Sequence, residues 1–375
     1  MLADNQTSSS QTPDIPEGMP TTEPGLPTTG STNPVAPQRR KPRWNKKWLF
    51  AGVVVLLIIA TTGYLLSNKK AKPIPLTKIS VQLEWVNNPE FAGMYVAQDK
   101  GYYKAAGLSV DLKEFQDSSD INKEVADGTV DYGVSTPLEL ILARGQGENN
   151  KAIAAIYQTS AWSIAFKKSL AIKTPADFQG KILGDSGNND EAKVTYAVLM
   201  AGAGLSPTDA TIKTVDFDAV KAFTDNQADT VDIFRNDQTY LLNKANISYS
   251  QIFPEQYGFA IYGDVLIASD NKIAQNPVQT GAFVRATMEG WQYAIAHQAE
   301  TLAILARHDN VLYKDPAYVK YDLSSTIPLV RTTGDQPLGS MQFVPWNRAY
   351  EGVQTAGLLK ASFGTNDVYT SQFVK

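Results

Sequence analysis

Beyond residue 77 the chain alternates short apolar runs with longer amphipathic stretches. Residues 78–83, 108–112, 132–134 and 153–157 have the apolar, β-branched character of strands. Between them, residues 90–106 place Phe91, Met94, Tyr95 and Tyr102 at helical spacing, and 119–127 opens with Ser and Asp residues suited to capping a first turn. A second block of the same kind begins near Thr174-Pro175, with a strand at 181–183, a glycine-containing loop at 184–189 and a helix over 191–203. From about residue 274 the pattern is helical, over 283–297 and then 299–307, and this part is expected to return and pack on the first block. The alternation predicts a mostly parallel α/β fold in two lobes, and two crossings between lobes would form a hinge.

The region before residue 78 reads differently. Residues 48–66 form an uncharged run of about 19 residues, long enough to span a bilayer core of roughly 30 Å as a helix. Trp48 and Tyr64 stand where interfacial aromatics belong. Arg39, Arg40, Lys41, Arg43, Lys46 and Lys47 precede the run, and only Lys69, Lys70 and Lys72 follow closely, so the positive-inside bias keeps the N-terminus cytoplasmic. The long basic segment before the run and the lack of a small-x-small site favour an uncleaved signal-anchor over a cleaved leader. Residues 1–37, rich in Thr, Ser, Pro and Gly, are expected to be disordered. The predicted organisation is a basic-ended tail (1–47), a transmembrane anchor (48–66), a linker (67–77), the first part of lobe 1 (78–170), lobe 2 (171–272) and the lobe 1 return with C-terminal helices (273–375).

Composition narrows the chemistry. The chain has 375 residues, 43% hydrophobic and 19% charged, as an ordinary folded protein has. It contains no cysteine, which excludes disulfides, thiolate metal sites, cysteine nucleophiles and an N-terminal lipid on cysteine. His297 and His308 are its only histidines, so a multi-histidine metal site is excluded; both sit in a helical region and are expected on the surface or in packing. Residues 1–72 carry a net charge of +5 and the remainder −9, and an acidic ectodomain argues against nucleic acid as a partner.

At 81–111 the sequence reads VQLEWVNNPEFAGMYVAQDKGYYKAAGLSVD. It resembles the ABC-transporter substrate-binding proteins of the thiamine-pyrimidine-precursor group, which favour a strand, then L-x-W-x-x-N, then a helix of the form F-A-G-x-Y-V-A-x-x-K-G-Y-Y-K. The resemblance continues through GTVDYG (128–133), LARGQG (142–147), IKTPADFQGKILG (172–184), YGFAIYGDVL (257–266) and FVRATMEGWQYAIAH (283–297), covering most of 78–375. It implies a two-lobed, periplasmic-binding-protein-like (type II) fold that closes on a small molecule by hinge motion and hands it to a membrane permease driven by a cytoplasmic ATPase.

Ligands of open α/β sheets gather beyond the carboxyl ends of strands. After the first strand come Trp85, a stacking surface or a core residue, and the amides Asn87 and Asn88. Tyr95 lies on the next helix, where core packing competes with binding. Ser135 and Thr136 follow a short strand and can cap a helix or bind; Gln158, Ser160 and Trp162 end another. The loop 184–191, GDSGNNDE, occupies the place of the family's G-x-x-G-x-P-x-E, so by resemblance Glu191 corresponds to a pyrimidine-contacting carboxylate, with Asp185, Ser186 and Asn188 beside it. Asp185 replaces an aromatic common in relatives, and Asn189 replaces the proline. Asn236, Tyr262 and Asp264 resemble the second-lobe wall of the cleft.

The expected function is the extracytoplasmic binding component of an ABC importer for a small, neutral or cationic heteroaromatic such as a thiamine pyrimidine precursor. The expected protein is a single-pass, membrane-held monomer that is not an enzyme and uses no cofactor or metal. Binding of a sulfonate, nitrate or riboflavin-like solute is the sibling reading, although an anion would need an Arg or Lys clamp that these loops lack. Fungal pyrimidine-synthesising enzymes share the fold and use a pyridoxal cofactor. The anchor, the missing cysteines and the lack of a histidine between Trp85 and Tyr95 weigh against that alternative.

Overall fold

The computed structural model describes residues 54–55, 75–116, 119–187, 189–308, 314–331 and 334–374. The chain divides into two units, Met1–Lys72 and Pro73–Lys375. In the first, Val54 and Val55 are helical; the expected tail, the rest of the expected 48–66 span and most of the expected linker lie outside the described residues. Among the described residues no helix is long and apolar enough to cross a membrane. The second unit carries the two lobes.

The first lobe opens with β1 (Thr77–Gln82), whose alternate burial follows the sequence alternation. A 3₁₀ turn at Pro89–Phe91 then leads into α1 (Ala92–Asp99); the Asn88 side chain accepts from Glu90 N at 2.9 Å and so caps the turn. The expected single helix over 90–106 is broken after Lys100, because Gly101 takes φ 77° and restarts the chain as α2 (Tyr102–Ala105). Next come β2 (Leu108–Lys113), α3 (Ile121–Ala126), β3 (Tyr132–Ser135), α4 (Pro137–Gly145) and β4 (Asn150–Ala155). Thr136 caps α4 by accepting from Glu139 N at 3.3 Å, with Pro137 at the first helical position.

The chain then enters the second lobe with β5 (Trp162–Lys167), β6 (Ile182–Ser186), α5 (Asp190–Gly202), β7 (Thr211–Val215), α6 (Ala219–Thr224), β8 (Thr230–Phe234), α7 (Gln238–Lys244) and β9 (Tyr249–Ile252). It returns with β10 (Val265–Ser269), followed by α8 (Asp270–Gln275), α9 (Pro277–Ala296), α10 (Gln298–His308), α11 (Pro316–Val330) and α12 (Phe343–Thr355).

Two five-stranded sheets result, ordered β2-β1-β3-β10-β4 and β7-β6-β8-β5-β9. In each, the three strands on one side run parallel, as Ile79↔Val110 and Gly184↔Val231 illustrate. The fourth strand is antiparallel in both: β10 pairs with β3 and β4, and β5 pairs with β8 and β9. β5 and β10 are the first strands after each crossing, so each sheet receives its antiparallel strand from the chain that has just changed lobes. The crossings therefore lie at 156–161 and 253–264, ahead of the expected boundaries at 170/171 and 272/273. Both strands are mainly apolar runs, and such runs do not state which sheet they join.

α9 packs on α1 in the first lobe, at backbone distance. A Cβ on Gly290 would stand 2.0 Å from the Gly93 carbonyl oxygen, and one on Gly93 would meet the buried Trp291 ring at 2.2 Å. α11 and α12 differ from the expected return to the first lobe alone. α12 contacts both α4 and α5, and α11 contacts α7 of the second lobe as well as the Pro89–Phe91 turn of the first. These helices brace the hinge side of the cleft.

Candidate functional site

A cleft of about 820 Å³ lies between the lobes. It opens beyond the carboxyl ends of the parallel strands, where loops bring side chains from several elements together. From the first lobe, Glu84, Trp85, Asn88 and Glu90 follow β1, Phe115 follows β2, and Thr136 and Glu139 follow β3. From the second, Trp162 begins β5, Ser186 and Glu191 flank the β6–α5 loop, Phe217 follows β7, and Asn236 and Asp237 follow β8.

Trp85 sits at the rim, 37% exposed. Its ring stacks on Phe115 at 5.8 Å and meets Phe217 of the opposite lobe at 5.5 Å. Aromatic pairs at such distances attract through both area and quadrupole. The rim is thus closed by rings contributed by both lobes.

Glu191 is buried at the start of α5, and burial above all pushes its carboxyl up to about 8, with Glu139 adding to the rise. The Trp162 indole N–H, close enough to oppose that rise, finds no acceptor at bonding geometry. Glu84, Glu90 and Asp264 form a second acidic centre, each offering an oxygen within 4.8 Å of the others. Burial raises all three: Glu90 to about 7, against the pull of the Asn88 amide, and Glu84 and Asp264 well above the usual carboxylate range. The Asn88 amide donates to Glu90 Oε2 at 3.2 Å, whereas Glu84 Oε1 and Asp264 Oδ2 are buried without hydrogen-bond partners.

Of the residues expected in the site, Trp85, Asn88, Thr136, Trp162, Ser186, Glu191 and Asn236 line the cleft. Asp264 lies behind Glu84 and Glu90, on the approach to β10 in the first lobe instead of the second-lobe wall. Tyr95 is buried on α1 with its ring 4.8 Å from His308, as the apolar helical spacing allows. Ser135 accepts from Asn122 Nδ2 at 3.0 Å. Gln158 donates to the carbonyls of Ala155 and Ser340, bracing the crossing. Asp185 accepts from Asn189 N at 2.7 Å and shapes the loop from behind. Tyr262 packs against Trp346, and its hydroxyl accepts from Gln342 N at 2.8 Å. Asn188 lies outside the described residues.

Among the lining residues that sequence reasoning missed are the acids Glu84, Glu90, Glu139 and Asp237 and the aromatics Phe115 and Phe217. Phe115, Phe217 and Glu84 carry the same signal that drew attention to Trp85, a place just past a strand's carboxyl end. Glu90 and Glu139 stand in helical first turns, where an acid reads as a dipole partner.

A family model described as NMT1/THI5 like matches residues 88–301, more than half of the chain. The chain belongs to this family. Relatives include the riboflavin-binding protein RibY of Chloroflexus aurantiacus, 22% identical over 87% of this chain and 97% of its own length. The formylaminopyrimidine-binding protein of Halalkalibacterium halodurans is 22% identical over 86% of this chain and 98% of its own. Among solved structures, the alkanesulfonate-binding protein SsuA of Xanthomonas axonopodis pv. citri superposes with a TM-score of 0.59 at 15% identity. It covers 80% of this chain and 99% of that one. The likeness establishes the two-lobed periplasmic-binding-protein fold.

One expectation is corrected. A relative from Legionella pneumophila named 4-amino-5-hydroxymethyl-2-methylpyrimidine phosphate synthase is 23% identical over 80% of this chain and 92% of its own. The NMT1/THI5 like family therefore holds synthases as well as binding proteins, and membership does not make the chain a non-enzyme. On the described lining the cationic side chain, Lys193, is held by Asp190 at 2.9 Å and lies 4.0 Å from Asp185.

Proposed function

We propose that the protein is the extracytoplasmic solute-binding component of an ABC importer, taking a small heteroaromatic of the thiamine-pyrimidine class. The observation that carries this reading is the interlobe cleft of about 820 Å³, which combines aromatic rings at Trp85 and Trp162 with the buried carboxyl of Glu191. A ring stacks on an indole, and an aminopyrimidine edge, with a ring nitrogen beside an exocyclic amine, meets a carboxyl with paired hydrogen bonds. The relative named for formylaminopyrimidine binding supports the ligand class.

Residues 48–66 hold the domain at the membrane with the N-terminus cytoplasmic, which keeps captured solute close to its permease. With no cysteine, the chain has no lipid anchor of the cysteine type.

Native mass spectrometry of the full chain, extracted in mild detergent, tests the ligand class by identifying what co-purifies. Calorimetry against 4-amino-5-hydroxymethyl-2-methylpyrimidine follows. A co-purified anion such as a sulfonate, together with no binding of any aminopyrimidine, would overturn it. The synthase-bearing relatives motivate one parallel measurement: absorbance of the protein incubated with pyridoxal phosphate. A lysine-aldimine band there would move the reading to catalysis.

A further inference from the structure

The base of the cleft holds chemistry that a neutral ring does not use. Glu84 and Glu90 line the cleft with Asp264 behind them, and the three carboxyl groups approach within 4.8 Å. Around them stand Glu139, Glu191, Asp237, Asp322, Tyr157 and Tyr318, and the leading influences on the three carboxyls are burial and neighbouring acids. Like charges so close disfavour ionisation, and each buried oxygen left without a donor costs free energy.

Asn236 supplies an independent sign of what is missing. It reaches the cleft from the second lobe, 2% exposed. Its Nδ2 donates to Asp322 Oδ1 at 3.2 Å and to Thr326 Oγ1 at 3.0 Å, two acceptors that fix which way the amide points. Oδ1 is consequently an oriented acceptor, and it has no partner. Glu84 Oε1, Asp264 Oδ2 and Asn236 Oδ1 thus receive no donor from the surrounding fold, and within the triad a proton shared between carboxyls is the alternative supply.

We infer that the cleft base is a subsite for the cationic end of the ligand, an ammonium or amidinium group seated on Glu84 and Glu90, with Asp264 supporting them from behind and Asn236 Oδ1 as a further acceptor on the lining. This deepens the solute-binding reading and rests on it. A cation with several N–H donors satisfies all these acceptors and offsets the clustered charge in one step. The aromatic rings of Trp85, Phe115 and Phe217 at the rim offer contact area to the body of an organic cation, which a bare metal ion cannot use. The raised carboxyl of Glu90, about 7, means that protons occupy part of the cluster until the cation displaces them.

The test uses the full chain and two pyrimidines that differ in one group, the 5-aminomethyl compound, a cation near neutral pH, and its neutral 5-hydroxymethyl counterpart. Calorimetry at pH 7.5 is expected to show the cation bound at least tenfold tighter. That advantage should shrink at pH 6, and titrations in buffers of different ionisation enthalpy should report proton release only with the cation. Glu84→Gln and Asp264→Asn should abolish both the preference for the cation and the proton release that accompanies it. The buffer comparison on the unaltered protein decides the matter should a variant not fold. Equal binding of the two compounds without proton release overturns the cationic subsite and leaves the heteroaromatic reading standing. Binding of neither overturns both. Tight binding of calcium chloride that Glu84→Gln abolishes overturns the organic cation in favour of a metal site.

Discussion

Each lobe holds a buried acidic centre, and the two are built in opposite ways. In the second lobe, Asp232 of β8 accepts from Ser186 N at 2.7 Å, Ser186 Oγ at 2.9 Å and Asn189 Nδ2 at 3.1 Å. In the first, Glu90 receives the Asn88 amide, but Glu84 Oε1 and Asp264 Oδ2 receive nothing. Burial raises carboxyls at both, Asp232 to about 6 and Glu90 to about 7. What separates them is donor supply. A carboxylate whose oxygens are met by its own fold holds a loop in place, and here it shapes the turn that presents Glu191. One whose oxygens are unmet is available to something else.

The most severe break of this comparison is Asp232→Ala. It leaves Ser186 N and Oγ buried without an acceptor and should cost about 3 kcal/mol of stability in urea unfolding. A near-neutral result would mean that the network is not what holds the loop.

Next in size is the pH response of the ligand-free protein. Carboxyls raised on folding bind protons more tightly in the folded state, so they stabilise in acid, and that contribution is lost as pH rises through the folded values. For Asp232, Glu90 and Glu191 the raised values are about 6, 7 and 8. The Tm, read by circular dichroism, should therefore fall by several degrees between about pH 5 and pH 8. A flat or rising profile would contradict the burial of these groups.

Glu84→Gln should act opposite to Asp232→Ala. Replacing a carboxyl whose ionisation is opposed by burial and by Asp264 and Glu90 with a neutral amide should raise the ligand-free protein's stability in alkaline solution by about 1 kcal/mol, because the cost of ionising it there disappears. A loss of similar size would place Glu84 with the scaffold. The smallest effect is expected from Trp85→Ala. With the ring at the rim, stability should drop by about 1 kcal/mol or less, from the lost contacts with Phe115 and Phe217. Its larger consequence should be weaker ligand binding in calorimetry.

Much of the fold is legible in local pattern. The alternation of strands and helices follows from apolar periodicity, and Thr136 caps a helix as its place before Pro137 suggests. The site is legible where a motif marks a strand end, as at Trp85, Asn88 and Glu191, all on the cleft. It is less so where one residue type serves two ends. Tyr95 and Tyr262 have the character of ligand contacts but fill the interior, since an aromatic gains as much from a core as from a ligand. Asp185 points behind its loop, where the amide of Asn189 meets it.

The sequence by itself determined the family, the two α/β blocks and the strand ends at which binding groups stand, because each of these is written in spacing over a few residues. Only the tertiary structure decided that β5 and β10 exchange lobes, that Glu84, Glu90 and Asp264 come together, and that Asn236 lines the same cleft. Those groups come from segments far apart in the chain, and no local period records which loops the crossings will bring together.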